Sequence, residues 1–90
     1  MKSYKNGDIV IVRKKIPKWS FGWTEVMDDY IGKESVVLHH DKESVFLLLK
    51  TSYDKFIKDG ISLSLSYTYA FPIESIDNRK EKIERLLKLK

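Results

Sequence analysis

The sequence predicts a mainly β domain: a small β-barrel of four to five antiparallel strands with a C-terminal α-helix. Three observations predict it. The 90 residues make one domain with a small core. Short β-branched or alternating segments recur, separated by Gly, Pro and acidic turn residues. One long loop follows the first strand, and a short element precedes the last, as in a small barrel. The expected barrel spans residues 1–76, and residues 77–90 form a helical tail.

Asn6-Gly7-Asp8 is a turn signal, and the first strand follows it at Ile9–Val12. Val10 and Val12 point one way, Ile9 and Ile11 the other, so both faces are apolar. Lys14 to Tyr30 reads as a long loop. Pro17 removes a backbone donor there, and Gly22 allows a tight bend. Thr24–Tyr30 adds one short helical turn. Glu34–His40 is the second strand, Asp41–Glu43 a polar turn, and Ser44–Thr51 the third strand of a hairpin. Tyr53, Phe56 and Ile57 fall at i, i+3 and i+4, with Ser52 placed to cap and Gly60 to end a short helix. Ile61, Leu63, Leu65, Tyr67, Tyr69 and Phe71 alternate with Ser, Thr and Ala, which predicts a half-buried strand closed by Pro72. From Asn78 the chain reads as helix. Asn78 and Glu81 have capping-box spacing, and Ile83, Leu86 and Leu87 make a narrow apolar stripe. That stripe docks on its own barrel or pairs with a second copy, so a monomer or a homodimer through the tail is expected.

Net charge is +4, unevenly spread. Residues 1–18 hold six Lys/Arg and one Asp, residues 19–76 five Lys and nine Asp/Glu, residues 77–90 six Lys/Arg and three Asp/Glu. The ends are basic and the middle acidic. A nucleic-acid reader shows one continuous basic footprint, which here requires the two ends to meet. There is no cysteine, which fits a reducing cytoplasm. No signal-peptide pattern is seen, and no stretch approaches the roughly 20 apolar residues of a membrane helix. A cytoplasmic protein with no membrane partner is expected.

The motifs sharpen the fold. Gly7-Asp8-Ile-Val-Ile-Val-Arg13, then Gly22…Met27-x-x-Tyr30-x-Gly32-Lys33-x-x-x-Val37, then Tyr69-x-Phe71-Pro72-x-Glu74-x-Ile76 run in order along the chain. This resembles a family of small SH3-like barrels found in phages and bacteria, similar in turn to the SH3-like repeats of the mind bomb/HERC type. The likeness covers residues 7–76 apart from the insert around Tyr53–Gly60. The basic residues 13–18 and the helical tail depart from it. It implies a binding module without enzymatic activity, and phage members make a viral accessory role in the host cytoplasm an expectation. It implies no particular ligand.

Trp19, Phe21, Trp23 and Tyr30 crowd one loop, beside Glu25, Asp28 and Asp29. Such rings either plug the open end of the barrel or form an aromatic groove for an extended peptide; the sequence leaves both open. The acids would orient a basic partner segment, or are ordinary loop solvation. Arg13, Lys14, Lys15 and Lys18, with Arg79 and Lys80, support the alternative of a KOW-like barrel on nucleic acid, since cations interleaved with rings suit single strands. His39 and His40 are strand neighbours facing opposite sides, so no metal site is expected. No nucleophile-elbow, P-loop or metalloprotease spacing occurs, so neither enzymatic activity nor a cofactor is expected. The expected function is a protein-binding adaptor or accessory module acting through the Trp19–Tyr30 loop.

Overall fold

The computed structural model describes residues 4–78. They form one five-stranded antiparallel sheet: β1 (Ile9–Val12), β2 (Glu34–His40), β3 (Ser44–Leu49), β4 (Tyr69–Pro72) and β5 (Ile76–Asn78), in spatial order β4-β3-β2-β1-β5. Two α-helices interrupt it, α1 (Glu25–Asp28) and α2 (Lys50–Lys58). Single 3₁₀ turns stand at Leu65–Tyr67 and Ile73–Ser75. The expected helical tail beyond Asn78 lies outside the described residues. Asn78 itself pairs with Val10 in β5, so the boundary expected at residue 76 falls inside a strand.

β4 and β5 are the two edges of the sheet, yet only Ile73–Ser75 separate them in the chain. A flat five-stranded sheet holds its outer strands roughly 19 Å apart, at ~4.8 Å per strand. The four Cα steps from Pro72 to Ile76 span at most about 14 Å. The sheet therefore has to curl. Its concave face carries Val10 and Val12 from β1, Val37 from β2, Val45 and Leu47 from β3, Phe71 from β4 and Ile76 from β5, each 0 % exposed. Tyr4, Met27 and Tyr30 complete the buried cluster. On the other side, α2 packs against β2 and β3, where Val36 and Leu48 pair and are buried.

The curl stops short of closure, which corrects the expected barrel. β4 and β5 form no ladder with each other. They meet end to end at the corner turn, so their edges do not run side by side. The β1–β2 loop fills the remaining side. Gly32 N–H donates to Val12 C=O at 2.6 Å, and Gly32 takes a φ of +81° that other residues rarely adopt.

β1, β2 and the β2–β3 hairpin follow the sequence expectation. α2 begins at Lys50, two residues before the expected Ser52, and ends at Lys58, with the expected Gly60 just past it, where Ile61 N–H bonds Phe56 C=O. The long strand expected over Ile61–Phe71 is corrected: only its end, from Tyr69, is strand. β4 pairs residues 69–72 with Ser44–Leu47 of β3. Two residues past Leu47 that partner ends and the chain enters α2, so residues 61–67 have no strand to pair with. Thr68 Oγ donates to Leu65 C=O and Ser64 Oγ meets Ser66 Oγ. Such local bonds compete with a ladder.

Phe71 is the aromatic hub, edge-on to Trp23 at 5.5 Å and tilted against Tyr30 at 5.0 Å between ring centroids. Phe71→Ala should cost about 3–5 kcal/mol, read as a lower urea midpoint of unfolding. At the hairpin, the Asp41 carboxylate accepts the N–H of Glu43 (3.0 Å), the N–H of Ser44 (2.8 Å) and the Ser44 hydroxyl (2.9 Å). The backbone bonds from Glu43 and Ser44, then the hydroxyl, hold its pKa below the ordinary aspartate range. A depressed carboxylate stabilises the fold above its unfolded pKa and loses that contribution as pH falls through the folded value. The gap in stability between the native chain and Asp41→Ala should therefore narrow as pH drops below about 4, measured by urea unfolding at stepped pH.

Candidate functional site

The β1–β2 loop positions its tryptophans by two successive turns. Trp19 N–H bonds Ile16 C=O at 3.1 Å across Pro17-Lys18, and Gly22 N–H bonds Trp19 C=O at 2.9 Å. Proline suits the second position of such a turn, and Gly22 has φ +85°. Trp19 is thereby held at the pivot. Its indole N–H reaches across the sheet edge to Ala70 C=O at 3.0 Å. It thus caps a carbonyl of the outermost strand, which otherwise invites pairing. The ring is half-buried, with Phe21 edge-on at 5.2 Å. Phe21 is 68 % exposed.

Trp23 faces inward. Its ring stands edge-on to Phe71 at 5.5 Å between centroids, and its indole N–H donates to Asp28 Oδ1 at 2.7 Å. Asp28 also meets Lys15 Nζ at 3.8 Å. Tyr30 is buried, 4 % exposed, beside Tyr69 and Phe71. Burial raises its pKa, partly offset by a backbone hydrogen bond from Leu49. It is a packing residue and supplies no surface. Glu25 and Asp29 are exposed on and after α1.

The seven aromatic and acidic residues singled out in the sequence therefore do not make one surface. Phe21 is exposed beside the sheet edge, Trp19 and Trp23 both pack against the core cluster, Tyr30 is buried in it, and Asp28 is engaged with Trp23 and Lys15. What the fold does assemble is a groove of about 790 Å³. Arg13, Lys14, Ile16, Lys18, Trp19 and Ser20 form its loop wall. Lys42 and Glu43 come from the hairpin turn, and Pro72, Ile73 and Glu74 from the corner turn. Backbone and indole hydrogen bonds tie these walls together. Arg13 N–H donates to Ser75 C=O at 2.8 Å, Ile73 N–H to Glu43 C=O at 3.1 Å, and Trp19 to Ala70 as above.

Three of the four loop cations line this groove; Lys15 instead faces Asp28. Arg13 pairs with Asp77 at 3.7 Å. Arg79 and Lys80 lie outside the described residues. Lys42, Glu43 and Ile73 carried no sequence signal, because only the fold brings two separate turns to the loop. Pro72 and Glu74 did have one, in the aromatic-Pro-x-Glu-x-Ile motif. Among the described residues no helix is long and apolar enough to cross a membrane. No family model, curated protein or solved structure matches the chain.

The Trp23–Asp28 bond is charge-assisted and holds α1 against the loop. In a Trp19→Phe background, where Trp23 is the sole indole, Asp28→Ala should red-shift the emission and raise iodide quenching. The cost in stability should be about 1 kcal/mol, while Asp28→Asn keeps an acceptor and most of both properties.

Proposed function

We propose that the protein is a non-enzymatic binding module that grips an extended segment of a partner protein in the groove beside Trp19. One observation carries this reading. The groove takes its apolar surface from the partly exposed Ile16, Trp19 and Ile73, and hydrogen bonds join its three walls before any ligand arrives. A preformed concave site spends little binding energy on ordering itself. Aromatic-lined grooves on small β domains hold extended peptides in this way.

The strand order supports the finer reading of an opened SH3-like barrel. The last strand returns beside the first, a 3₁₀ turn precedes it, and the longest loop follows β1. On that reading the module is a cytoplasmic adaptor or accessory protein, viral if the phage likeness holds, whose mechanism is occupancy. A partner side chain packs on Trp19, and the bound segment is recruited or withheld from others. Phe21, exposed beside Trp19, extends the contact. Glu25 and Asp29, on the far side of α1, act at most as a rim.

A nucleic-acid module is the second reading, favoured by Arg13, Lys14, Lys18 and Lys42 around a tryptophan. Salt separates the two, because phosphate binding weakens steeply and log-linearly with salt.

Selection from a displayed library of random 12-residue peptides tests the proposal. The native protein should enrich a peptide family. Trp19→Ala should weaken its binding at least 10-fold, with Trp19→Phe intermediate, while Trp23→Ala, off the groove, should change it less than threefold. Urea midpoints of each variant separate lost binding from lost fold. No enrichment, or full binding by a folded Trp19→Ala, would remove the groove as the site.

A further inference from the structure

Resting on the groove reading, we infer that the occupant is an acidic peptide segment, extended and carrying its carboxylates on one side. The loop acids Glu25, Asp28 and Asp29 suggest the opposite sign when read from sequence alone. In the fold none of them lines the groove, and Asp28 pairs with Lys15 and accepts the Trp23 indole N–H. The groove itself is lined by Arg13, Lys14, Lys18 and Lys42 against Glu43 and Glu74. Arg13 is paired with Asp77, whereas Lys14, Lys18 and Lys42 make no ion pair among the described residues. Their ammonium groups stand in solvent around its apolar surface. That arrangement complements carboxylates flanking an apolar anchor.

The two groove acids help choose between polyanions. Glu43 and Glu74 belong to the turns opposite the loop and are joined there through the Ile73–Glu43 bond. Lys14 and Lys18 occupy the loop wall. Successive side chains of an extended peptide point to opposite sides. A peptide can therefore direct carboxylates at the loop wall and neutral or basic groups at Glu43 and Glu74. A nucleic-acid strand has a phosphate at every residue, so it brings a denser line of negative charge past Glu43 and Glu74 than such a peptide does. The chain's own remaining segment has the wrong sign, since residues 79–90 carry six Lys/Arg and two Glu.

The test uses the full chain and three fluorescein-labelled 12-residue peptides followed by anisotropy. One alternates Glu with Leu and Pro, one replaces each Glu with Gln, and one replaces each Glu with Lys. A dodecathymidine oligonucleotide is the fourth probe. The Glu peptide should bind at least 10-fold tighter than the Gln peptide and the Lys peptide weakest. Lys14→Glu/Lys18→Glu/Lys42→Glu should reverse that order, and the milder Lys→Gln triple should remove it. All three lysines are exposed, so circular dichroism should be unchanged. Equal binding of the Glu and Gln peptides, both lost in Trp19→Ala, would overturn the charge inference and leave the groove reading standing. Tighter binding of the oligonucleotide would overturn both in favour of nucleic acid. No binding of any peptide at millimolar concentration would overturn the inference, with the library selection then deciding the groove reading separately. A dimer that shields Trp19 from iodide would place a second copy there and would also overturn it.

Discussion

Three residues, Ile73–Ser75, carry the chain from one edge of a five-stranded sheet to the other. Everything else in the fold answers to that short link. It is too short for a flat sheet, so the strands curl, and the curl creates the concave face that buries Val10, Val12, Val37, Val45, Leu47, Phe71 and Ile76. A chain of this size has few other apolar side chains to spend on a core. The turn is made rigid where it bends: the buried Ser75 hydroxyl donates to Pro72 C=O at 2.8 Å, satisfying a group that would be costly to bury alone. Its outer surface also lines the groove. The device that closes the core thus builds one side of the groove as well.

Because the turn joins the edges end to end, it leaves a side of the sheet uncovered, and the β1–β2 loop supplies the cover. The two tryptophans divide the labour. Trp23 packs against Phe71 and is pinned by Asp28, so it extends the core. Trp19 caps the Ala70 carbonyl on the edge strand and leaves a face toward the groove. One side chain thus caps the edge strand with its N–H and lines the groove. Both rings pack against the core cluster, and of the two only Trp19 also lines the groove.

How much of this the sequence carries follows from the range of each interaction. β1, β2, β3 and the Asp41–Glu43 turn are legible because periodicity and turn chemistry are local. The one clear alternating run, Ile61–Phe71, misleads for a non-local reason. Alternation signals a strand only where a partner strand exists, and β3 ends at Leu49. Barrel closure fails as an expectation for a similar reason: strand count is in the sequence, but the geometry of the corner turn decides closure. Within the site, Trp19 and its neighbouring cations were legible as a cluster of ring and charge. Lys42, Glu43 and Ile73 were not, because they join the cluster only through the hairpin and the corner turn. The acids were legible as residues but not as roles, since a bond to Trp23 takes Asp28 out of the surface.

The distribution of charge follows from the same division. A loop that must hold one indole inward needs a strong acceptor, and a carboxylate serves best because the bond is charge-assisted. That puts Asp28 beneath Trp23 and draws Lys15 to it. Lys14 and Lys18 instead line the groove with Trp19. With Lys42 brought in by the hairpin, cations collect at the groove, while the acids collect on α1. The loop is close to neutral as a string of residues and is polarised once folded.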